Sequence, residues 1–499
     1  MLLAASFSGP PFFLLAWVAL IPYLTFLLGQ PSFRFLLLGH LLFSVPYFGI
    51  VLYWIPRVLM VYGKFDVLTA GGLFALMLLV MSLYLLPVSL LGRWGAGRWG
   101  RAFLAAFPGL WLLTELARNY YLISGFPWAL VGYSQAPYSA LIQVADVGGV
   151  YLVSMVVVGG NAALLAFIRA RTAAPLLLFL PFFLLVNLYG IYRLHLWSPS
   201  PSIAVRTALV QPNVELFQDQ EHYAVKYFET LPQFYREASE SGAGWVIFPE
   251  ASNPYLFRED FYYTTFWQRL VSEQGSQLLF NATLLERGPP DRYYNSAVLL
   301  NPQGQEAYEY RKTHLVPFGE YIPAKSWLEP FFEPLIGEVS EFTPGDSLMT
   351  GAIDGGRFGT LICFEGIFPE LSRELSRQGA QILVNLTNDA WYGRTAAPDQ
   401  HLVMASFRAI ENRKPFLRAA NSGYSAFVDP WGRTEQSLGL FQEGMMLGIV
   451  VGNRHTSVYS LAGEWINIAL SGALAVAVLL AGGAGPKTKK KKRRRPARK

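Results

Sequence analysis

Residues 361–370 read LICFEGIFPE and hold Cys363, the single cysteine of a chain of 499 residues. The apolar run GTLICF at 359–364 predicts a strand, and residues 367–378 predict an amphipathic helix directly after it. Short strands that alternate with amphipathic helices are typical of an α/β domain. Cys363 is therefore expected where a strand of such a domain gives way to a helix.

The sequence on both sides of this junction has the same alternation. Further strands are predicted at 203–211, 245–250, 277–285, 295–301 and 381–387. Further helices are predicted at 221–240, 260–274 and 401–413. Residues 193–455 are thus expected to form one α/β domain, which is long enough to bury a core of its own.

The chain as a whole is too apolar for an ordinary soluble protein, with 53% hydrophobic and 15% charged residues and a mean hydropathy of +0.30. Long apolar stretches lie at 12–28, 35–54, 67–92, 147–168, 173–192 and 458–483, and a weaker one at 102–117 carries Glu115. Most are close to the roughly 20 residues that span a bilayer. Any one could be a buried helix of a soluble core, but together they favour a membrane bundle at 1–192 and a membrane helix at 456–484.

The positions of lysine and arginine indicate the orientation of these spans. Basic residues cluster in two short loops, as Arg93, Arg98 and Arg101 in one and Arg169 and Arg171 in the other, and they dominate the tail at 485–499. Loops on the inner side of a membrane are rich in such residues. With all three groups inside, residues 193–455 lie outside, although Arg57 and Lys64 then sit in an outer loop, mildly against the rule.

The basic tail accounts for much of the net charge of +6. Directly after an apolar span, a basic run is more typical of an anchor at an anionic inner surface than of a nucleic-acid site. No nucleic-acid partner is expected. A single cysteine also excludes an intrachain disulfide, so an outer domain would carry Cys363 as a free thiol.

Three residues of the outer domain could carry chemistry. Cys363 precedes a predicted helix, whose dipole would lower the pKa of the thiol, but a lone cysteine is more commonly a small buried hydrophobic residue. Glu250, in VIFPEAS, ends a predicted strand, and Lys312 lies in the irregular stretch YRKTHLVPFGEYIP. Either charge could instead be a surface group or half of an ion pair.

These residue types suit nucleophilic catalysis by a thiol. The thiol needs a base to remove its proton, which a glutamate can supply, and a donor for the oxyanion, which a lysine can supply. A second acid, Glu320 or Glu365, could hold the lysine ammonium or assist proton transfer, or could be a solvated charge. No metal-ligand spacing and no glycine-rich phosphate loop is evident, so neither a metal nor a cofactor is expected.

The order of Glu250, Lys312 and Cys363 resembles the Glu-Lys-Cys triad of the nitrilase superfamily, whose fold is an α-β-β-α sandwich. Together with the spans, GFPWALVGYSQ at 125–135 and HLVPFGEYIP at 314–323 resemble the membrane-embedded apolipoprotein N-acyltransferase family, as does CFEGIFPE, which begins at Cys363. The resemblance covers essentially the whole chain. It implies a polytopic α-helical membrane domain joined to a nitrilase-like sandwich, in a bacterial inner membrane with the sandwich on the periplasmic face.

The resemblance also implies a two-step acyl transfer. Cys363 would attack an acyl ester of a phospholipid, typically phosphatidylethanolamine, and the thioester would then acylate the amine of a diacylglyceryl-modified apolipoprotein. Glu250 would be the general base, and Lys312 would stabilise the oxyanion with the backbone N–H after Cys363. Glu320 and Glu365 would be supporting acids. Phe364 stands where the family often has Tyr, so ring packing is expected there, without a hydroxyl.

Two other functions fit parts of the sequence. A membrane-tethered amidase of the nitrilase type would use the same triad with water as the acceptor, although the spans and aromatic loops favour lipid substrates. A transporter with an outer binding domain would need charges inside its spans, and the candidates are few, namely Glu115 and His40.

Overall fold

The structure is a computed structural model that describes residues 1–120, 125–215, 223, 225–322 and 341–483. Its α-helices are α1 (Leu2–Ala5), α2 (Ile21–Leu28), α3 (Phe33–Val51), α4 (Ile55–Val61), α5 (Val67–Trp99), α6 (Phe107–Tyr120), α7 (Ser139–Ile142), α8 (Ala145–Ala170), α9 (Ala174–His195), α10 (Leu231–Glu240), α11 (Phe261–Gln274), α12 (Pro369–Arg377), α13 (Ala397–Asn412), α14 (Val458–Ala462) and α15 (Trp465–Gly483). Shorter 3-10 turns lie at Phe12–Trp17, Gly100–Ala105, Val131–Gln135, Cys363–Ile367 and Asp389–Tyr392.

The strands all lie between α9 and α14. They are β1 (Pro201–Gln211), β2 (Trp245–Ile247), β3 (Leu256–Phe257), β4 (Gln277–Glu286), β5 (Arg292–Leu300), β6 (Glu306–Arg311), β7 (Thr350–Ile353), β8 (Gly356–Ile362), β9 (Ile382–Thr387), β10 (Phe416–Ala420), β11 (Ser425–Val428), β12 (Thr434–Leu438) and β13 (Gly444–Asn453). Two predicted strands end early, because β2 stops at Ile247 and β8 at Ile362. Glu250 and Cys363 therefore lie in the turns that follow these strands and are not part of them.

The apolar regions form helices of membrane-spanning character. In the described residues, α3, α5 with its following turn, α8 and α9 are each long and apolar enough to cross a membrane, and shorter apolar helical segments lie at Phe12–Leu28 and Trp465–Leu480. The weaker stretch forms α6, where Glu115 is buried and accepts hydrogen bonds from Trp111 Nε1 at 3.0 Å and from Val131 N at 2.8 Å. Both donors bind Glu115 Oε1, and Oε2 is buried with no hydrogen-bond partner among the described residues.

The strands form two sheets that pack face to face. One has the order β13-β1-β2-β4-β5-β6, with β3 beside β4, and the other has the order β12-β11-β10-β9-β8-β7. The pairs β1–β2, β2–β4, β8–β9 and β9–β10 are parallel, and β2 and β8 each have a neighbouring strand on both sides. Sites in α/β folds form at the carboxyl ends of such strands.

Alternate residues of each strand build three separate cores. Ile247 and Ile362 belong to the core between the sheets. Their neighbours point outward, Val246 against α10 and α11 and Leu361 against α12 and α13. The order of layers is helix, sheet, sheet, helix, and the predicted α-β-β-α sandwich is confirmed.

The membrane helices pack against the α12–α13 side of the sandwich. Phe364, Phe368 and Phe407 share one buried cluster with residues of the membrane helices, among them Trp111 and Val150. The turn that begins at Cys363 is therefore held against the membrane region.

Buried charges strengthen this junction. Arg413 Nε donates to Asp146 Oδ2 at 2.8 Å, and Glu411 Oε1 accepts from Val150 N at 3.0 Å, next to a kink of α8 at Gly148 and Gly149. The kink frees backbone N–H groups that need acceptors, and Glu411 supplies one. These contacts tie the sandwich to one end of α8.

The two predicted basic loops meet at the opposite end of α8. Arg101 Nη1 donates to the carbonyl oxygen of Arg169 at 2.8 Å. The basic tail at 485–499 lies outside the described residues.

Candidate active site

Three loops that follow strands bring Glu250, Lys312 and Cys363 together. Lys312 Nζ lies 3.6 Å from Glu250 Oε1, and the Cys363 thiol lies close enough to both for their charges to act on it. All three are buried, with exposed fractions of 9% for Glu250, 1% for Lys312 and 7% for Cys363. A thiol, a carboxyl group and an ammonium thus share one desolvated site, the combination that nucleophilic catalysis by a thiol requires.

The backbone of Cys363 is in an unusual conformation. Its φ is +50°, in the left-handed region that side chains other than glycine avoid, and it is the first residue of the 3-10 turn. Asn385 Nδ2 donates to the Cys363 carbonyl oxygen at 3.3 Å and helps to hold it there. A strained residue that its surroundings keep in place is typical of an active site.

Glu320 holds the lysine. Lys312 Nζ donates to the Glu320 carboxylate at 2.9 Å, and Val316 N donates to Glu320 Oε2 at 2.8 Å. Asn295 Nδ2 donates to Glu320 Oε1 at 2.7 Å and to Glu250 Oε1 at 3.0 Å. The two acids are therefore linked by one ammonium and one amide.

Glu365 has a different role from Glu320. Its Oε1 accepts from Tyr310 Oη at 2.6 Å, from Thr313 N at 2.9 Å and from His314 N at 3.0 Å. Its Oε2 accepts from Ile362 N at 2.8 Å. The carboxylate joins the chain after Lys312 to the end of β8, so it positions both the ammonium and the thiol.

The burial of the site changes its acid–base properties. Burial raises the pKa of Glu250, and Lys312 only partly opposes this. Burial alone would lower the pKa of Lys312, but the Glu320 and Glu250 carboxylates outweigh burial and raise it. The lysine stays charged, and Glu250 is a stronger base than a solvated carboxylate.

The predicted lowering of the Cys363 pKa is wrong. Burial, and after it the negative charge of Glu250, raises the pKa of this thiol, and Lys312 opposes the shift. The turn that begins at Cys363 has only five residues, so its dipole is weak against these two effects. The raised pKa favours the protonated thiol in the resting site, next to the Glu250 carboxylate.

Phe364 packs among aromatic rings, as expected. Its ring centroid lies 5.0 Å from that of Phe368, 6.1 Å from that of His314 and 6.3 Å from that of Phe126, which follows the membrane helix α6. The residue next to Cys363 therefore contacts the membrane region directly.

Sequence reasoning missed several polar residues of the site. Asn388 N donates to Glu250 Oε2 at 3.1 Å. Behind Cys363, Arg418 donates to Asp389 Oδ2 and to Asn385 Oδ1, each at 2.6 Å, and all three are fully buried or nearly so. The polar run TNDAWYG at 387–393, directly after a buried strand, was the available signal for part of this network. Within the described ranges, no group of three or more His, Cys, Asp or Glu residues could hold a metal ion.

Comparisons with known proteins assign the family. The model of the apolipoprotein N-acyltransferase N-terminal domain matches residues 1–163, and that of the carbon-nitrogen hydrolases matches residues 206–454. The apolipoprotein N-acyltransferase of Geobacter metallireducens is 37% identical over 498 residues, which cover 96% of this chain and 93% of that protein. This chain belongs to the apolipoprotein N-acyltransferase family. A second family member, from Allorhizobium ampelinum, is 34% identical over 81% of this chain and 78% of its own.

Family membership confirms the predicted resemblance. The chain is an acyltransferase of the nitrilase superfamily, with a membrane domain of apolar helices and a nitrilase-like catalytic domain. Among solved structures, an amidase from Nesterenkonia sp. matches 50% of this chain and 90% of its own, at 21% identity and a TM-score of 0.37.

Proposed function

We propose that this enzyme moves a fatty acyl chain from a phospholipid, through a thioester on Cys363, to the N-terminal amine of a diacylglyceryl-modified apolipoprotein. The observation that carries the proposal is the buried contact of Cys363 with Glu250 beside the Lys312 ammonium, in a loop packed against membrane helices. A lipid ester and a thioester are both attacked through a tetrahedral oxyanion, so one site can serve both steps.

In the first step, the Cys363 sulfur attacks the ester carbonyl carbon and its proton passes to Glu250. The oxyanion is stabilised by the Lys312 ammonium and by the backbone N–H of Phe364. The carbon–oxygen bond to glycerol then breaks, and Glu250 returns the proton to the departing alkoxide. The products are a thioester and a lysophospholipid.

In the second step, the lipoprotein amine attacks the thioester carbonyl carbon. Glu250 accepts a proton from the amine, the same donors stabilise the oxyanion, and the carbon–sulfur bond breaks. The proton returns to the Cys363 sulfur, so the products are an amide and a free thiol. The raised pKa of this thiol favours its reprotonation at the end of the cycle.

The proposed donor is phosphatidylethanolamine. The proposed domains are a membrane bundle at 1–192, a catalytic domain at 193–455 and a membrane helix at 456–484, followed by a cytoplasmic tail. Arg101 contacts Arg169 at the end of α8 that lies far from the catalytic domain, so the two basic loops are on the same side. Because loops rich in arginine lie on the inner side of a membrane, this contact supports an inner location for both. We therefore infer a bacterial inner-membrane enzyme whose catalytic domain is on the periplasmic face.

The experiment that tests this function follows both products. Full-length enzyme in detergent micelles with phosphatidylethanolamine is given a diacylglyceryl-cysteine lipopeptide, and mass spectrometry measures the acylated lipopeptide and the free fatty acid. We expect one lysophospholipid for each acylated lipopeptide and little fatty acid. An amidase-type hydrolase would instead release free fatty acid when lipopeptide is absent, as fast as the lipopeptide is acylated when it is present.

A further inference from the structure

A second site lies beside the catalytic one, at the junction of the two domains. An open cavity of about 590 Å³ is lined by Arg57, which belongs to α4, and by Asn213, Glu215, Gly393, Arg394 and Phe441 of the catalytic domain. Its volume is in the range of small-molecule sites. The catalytic steps described above use none of these residues.

Two arginines from different domains meet in this cavity. The Arg57 guanidinium lies so close to Gly393 that a Cβ on this glycine, whose φ is +59°, would be 2.6 Å from Arg57 Nε. Arg394 is the next residue, and its guanidinium lies 4.9 Å from the Phe441 ring centroid. Among the described residues, neither guanidinium forms a salt bridge. Two neighbouring cations without a bound carboxylate suit a phosphate group.

The other wall of the cavity offers acceptors. The Asn213 side chain donates through Nδ2 to the Phe441 carbonyl oxygen at 3.4 Å, while its Oδ1 is buried and has no hydrogen-bond partner in the described part of the chain. The exposed carboxylate of Glu215 lines the same space. The exposed Glu215 carboxylate is the acceptor on this wall that a ligand ammonium can reach, because the Asn213 oxygen has almost no accessible surface.

Aromatic residues indicate that the cavity is at headgroup depth. Trp391, two residues before Gly393, is 39% exposed, and its ring centroid lies 4.7 Å from that of Tyr62 at the end of α4. Exposed Trp and Tyr side chains beside membrane helices are typical of the membrane–water interface.

Hydrogen bonds connect the cavity to the catalytic base. Asn213 N donates to the Asn421 carbonyl oxygen at 2.9 Å, and Asn421 Nδ2 donates to Asn388 Oδ1 at 3.2 Å. Asn388 N in turn donates to Glu250 Oε2. One continuous hydrogen-bond path, through Asn421 and Asn388, therefore joins the cavity wall to Glu250.

We propose that this cavity binds the headgroup of the acyl donor, a zwitterion with one phosphodiester and one ammonium group. Arg57 and Arg394 bind the phosphodiester, and the exposed Glu215 carboxylate binds the ammonium. The inference rests on the proposed function and extends it to the choice of donor. A lipoprotein peptide is the less favoured occupant, since a peptide carries no phosphate for the two arginines.

The test separates donor recognition from the rest of the reaction. Full-length wild type, Arg57→Gln, Arg394→Gln and Glu215→Gln are mixed in nonionic micelles with phosphatidylethanolamine or phosphatidylglycerol of equal acyl chains, without lipopeptide. The rate of thioester formation is followed by mass spectrometry over a range of donor mole fractions. Arg236→Gln, an exposed arginine of α10, is the matched control.

At a low mole fraction of donor lipid, each cavity arginine variant should form the thioester about tenfold more slowly than the wild type with both lipids. At a high mole fraction, the rate should return to that of the wild type. Glu215→Gln should lower the preference for phosphatidylethanolamine over phosphatidylglycerol roughly threefold. Cavity variants that match Arg236→Gln, or that slow only the transfer from a preformed thioester to lipopeptide, would overturn the proposal. A wild type that forms no thioester would overturn the proposed function itself.

Discussion

Replacement of Lys312 by methionine tests the electrostatics of the site most severely. The ammonium is 1% exposed and lies 2.9 Å from Glu320 and 3.6 Å from Glu250, so its removal leaves two buried carboxylates that share the Asn295 amide. Loss of one partner of a buried ion pair costs about 3–5 kcal/mol of folding free energy. Loss of an oxyanion donor lowers the rate by about 10²–10³.

The substitution should also shift the pH dependence of the rate. Burial raises the pKa of Glu250, and the positive charge of Lys312 is the largest effect that lowers it. Without Lys312, this pKa rises further. More of the base is then protonated at a given pH, and the rate rises at a higher pH than in the wild type. Glu250 then binds a proton more readily in the folded than in the unfolded chain, so the loss of stability shrinks as pH falls.

The assay pairs thioester formation, measured at several pH values in a single turnover, with thermal unfolding in detergent. Lys414→Met is the control, because Lys414 is also buried but donates to the carbonyl oxygens of Asn453 and His455, each at 2.7 Å. This variant should be less stable yet acylate normally once folded. Wild-type acylation by Lys312→Met, or an equal loss of acylation in both variants, would refute the reasoning.

Three further outcomes follow from the same geometry. Glu250→Gln should lower thioester formation by about 10²–10⁴, and the wild-type rate should rise with pH through a Glu250 pKa above the usual carboxyl value of about 4.3, as a pH–rate profile would show. Glu365→Gln, which deprives a buried donor such as Ile362 N of its acceptor, should cost about 1–3 kcal/mol in denaturant unfolding, and unchanged stability would contradict this. Asn295→Leu should slow acylation without lowering protein yield in membranes, and activity equal to wild type would exclude a role for the amide.

The strand and helix alternation of the catalytic domain could be predicted because its apolar residues have the right periods. The runs that became β4 and β9 are mostly apolar, since both faces of these strands are largely buried. In contrast, β12 is a polar strand, TEQSL, at the edge of its sheet, and its sequence has no hydrophobic pattern from which a strand could be predicted. Which strands share a sheet depends on contacts between distant residues, and the sandwich itself was expected only from the resemblance.

The site was predictable to the extent that charge and sequence context mark a residue. Glu250, Lys312 and Cys363 could be singled out, but Asn295 is an uncharged residue inside a strand, and its contacts with two acids appear only in three dimensions. The pKa of Cys363 was misjudged for a related reason. A following helix can be seen in the sequence, whereas burial and the charge of a residue 113 positions earlier cannot.

The most direct test of the acyl-enzyme mechanism is the mass of the purified full-length protein after incubation with phosphatidylethanolamine. The mechanism predicts an added fatty acyl mass on the peptide that contains Cys363, its loss on treatment with hydroxylamine, and no such adduct in Cys363→Ser. An acyl group on any other residue, or full lipopeptide acylation by Cys363→Ser, would contradict it.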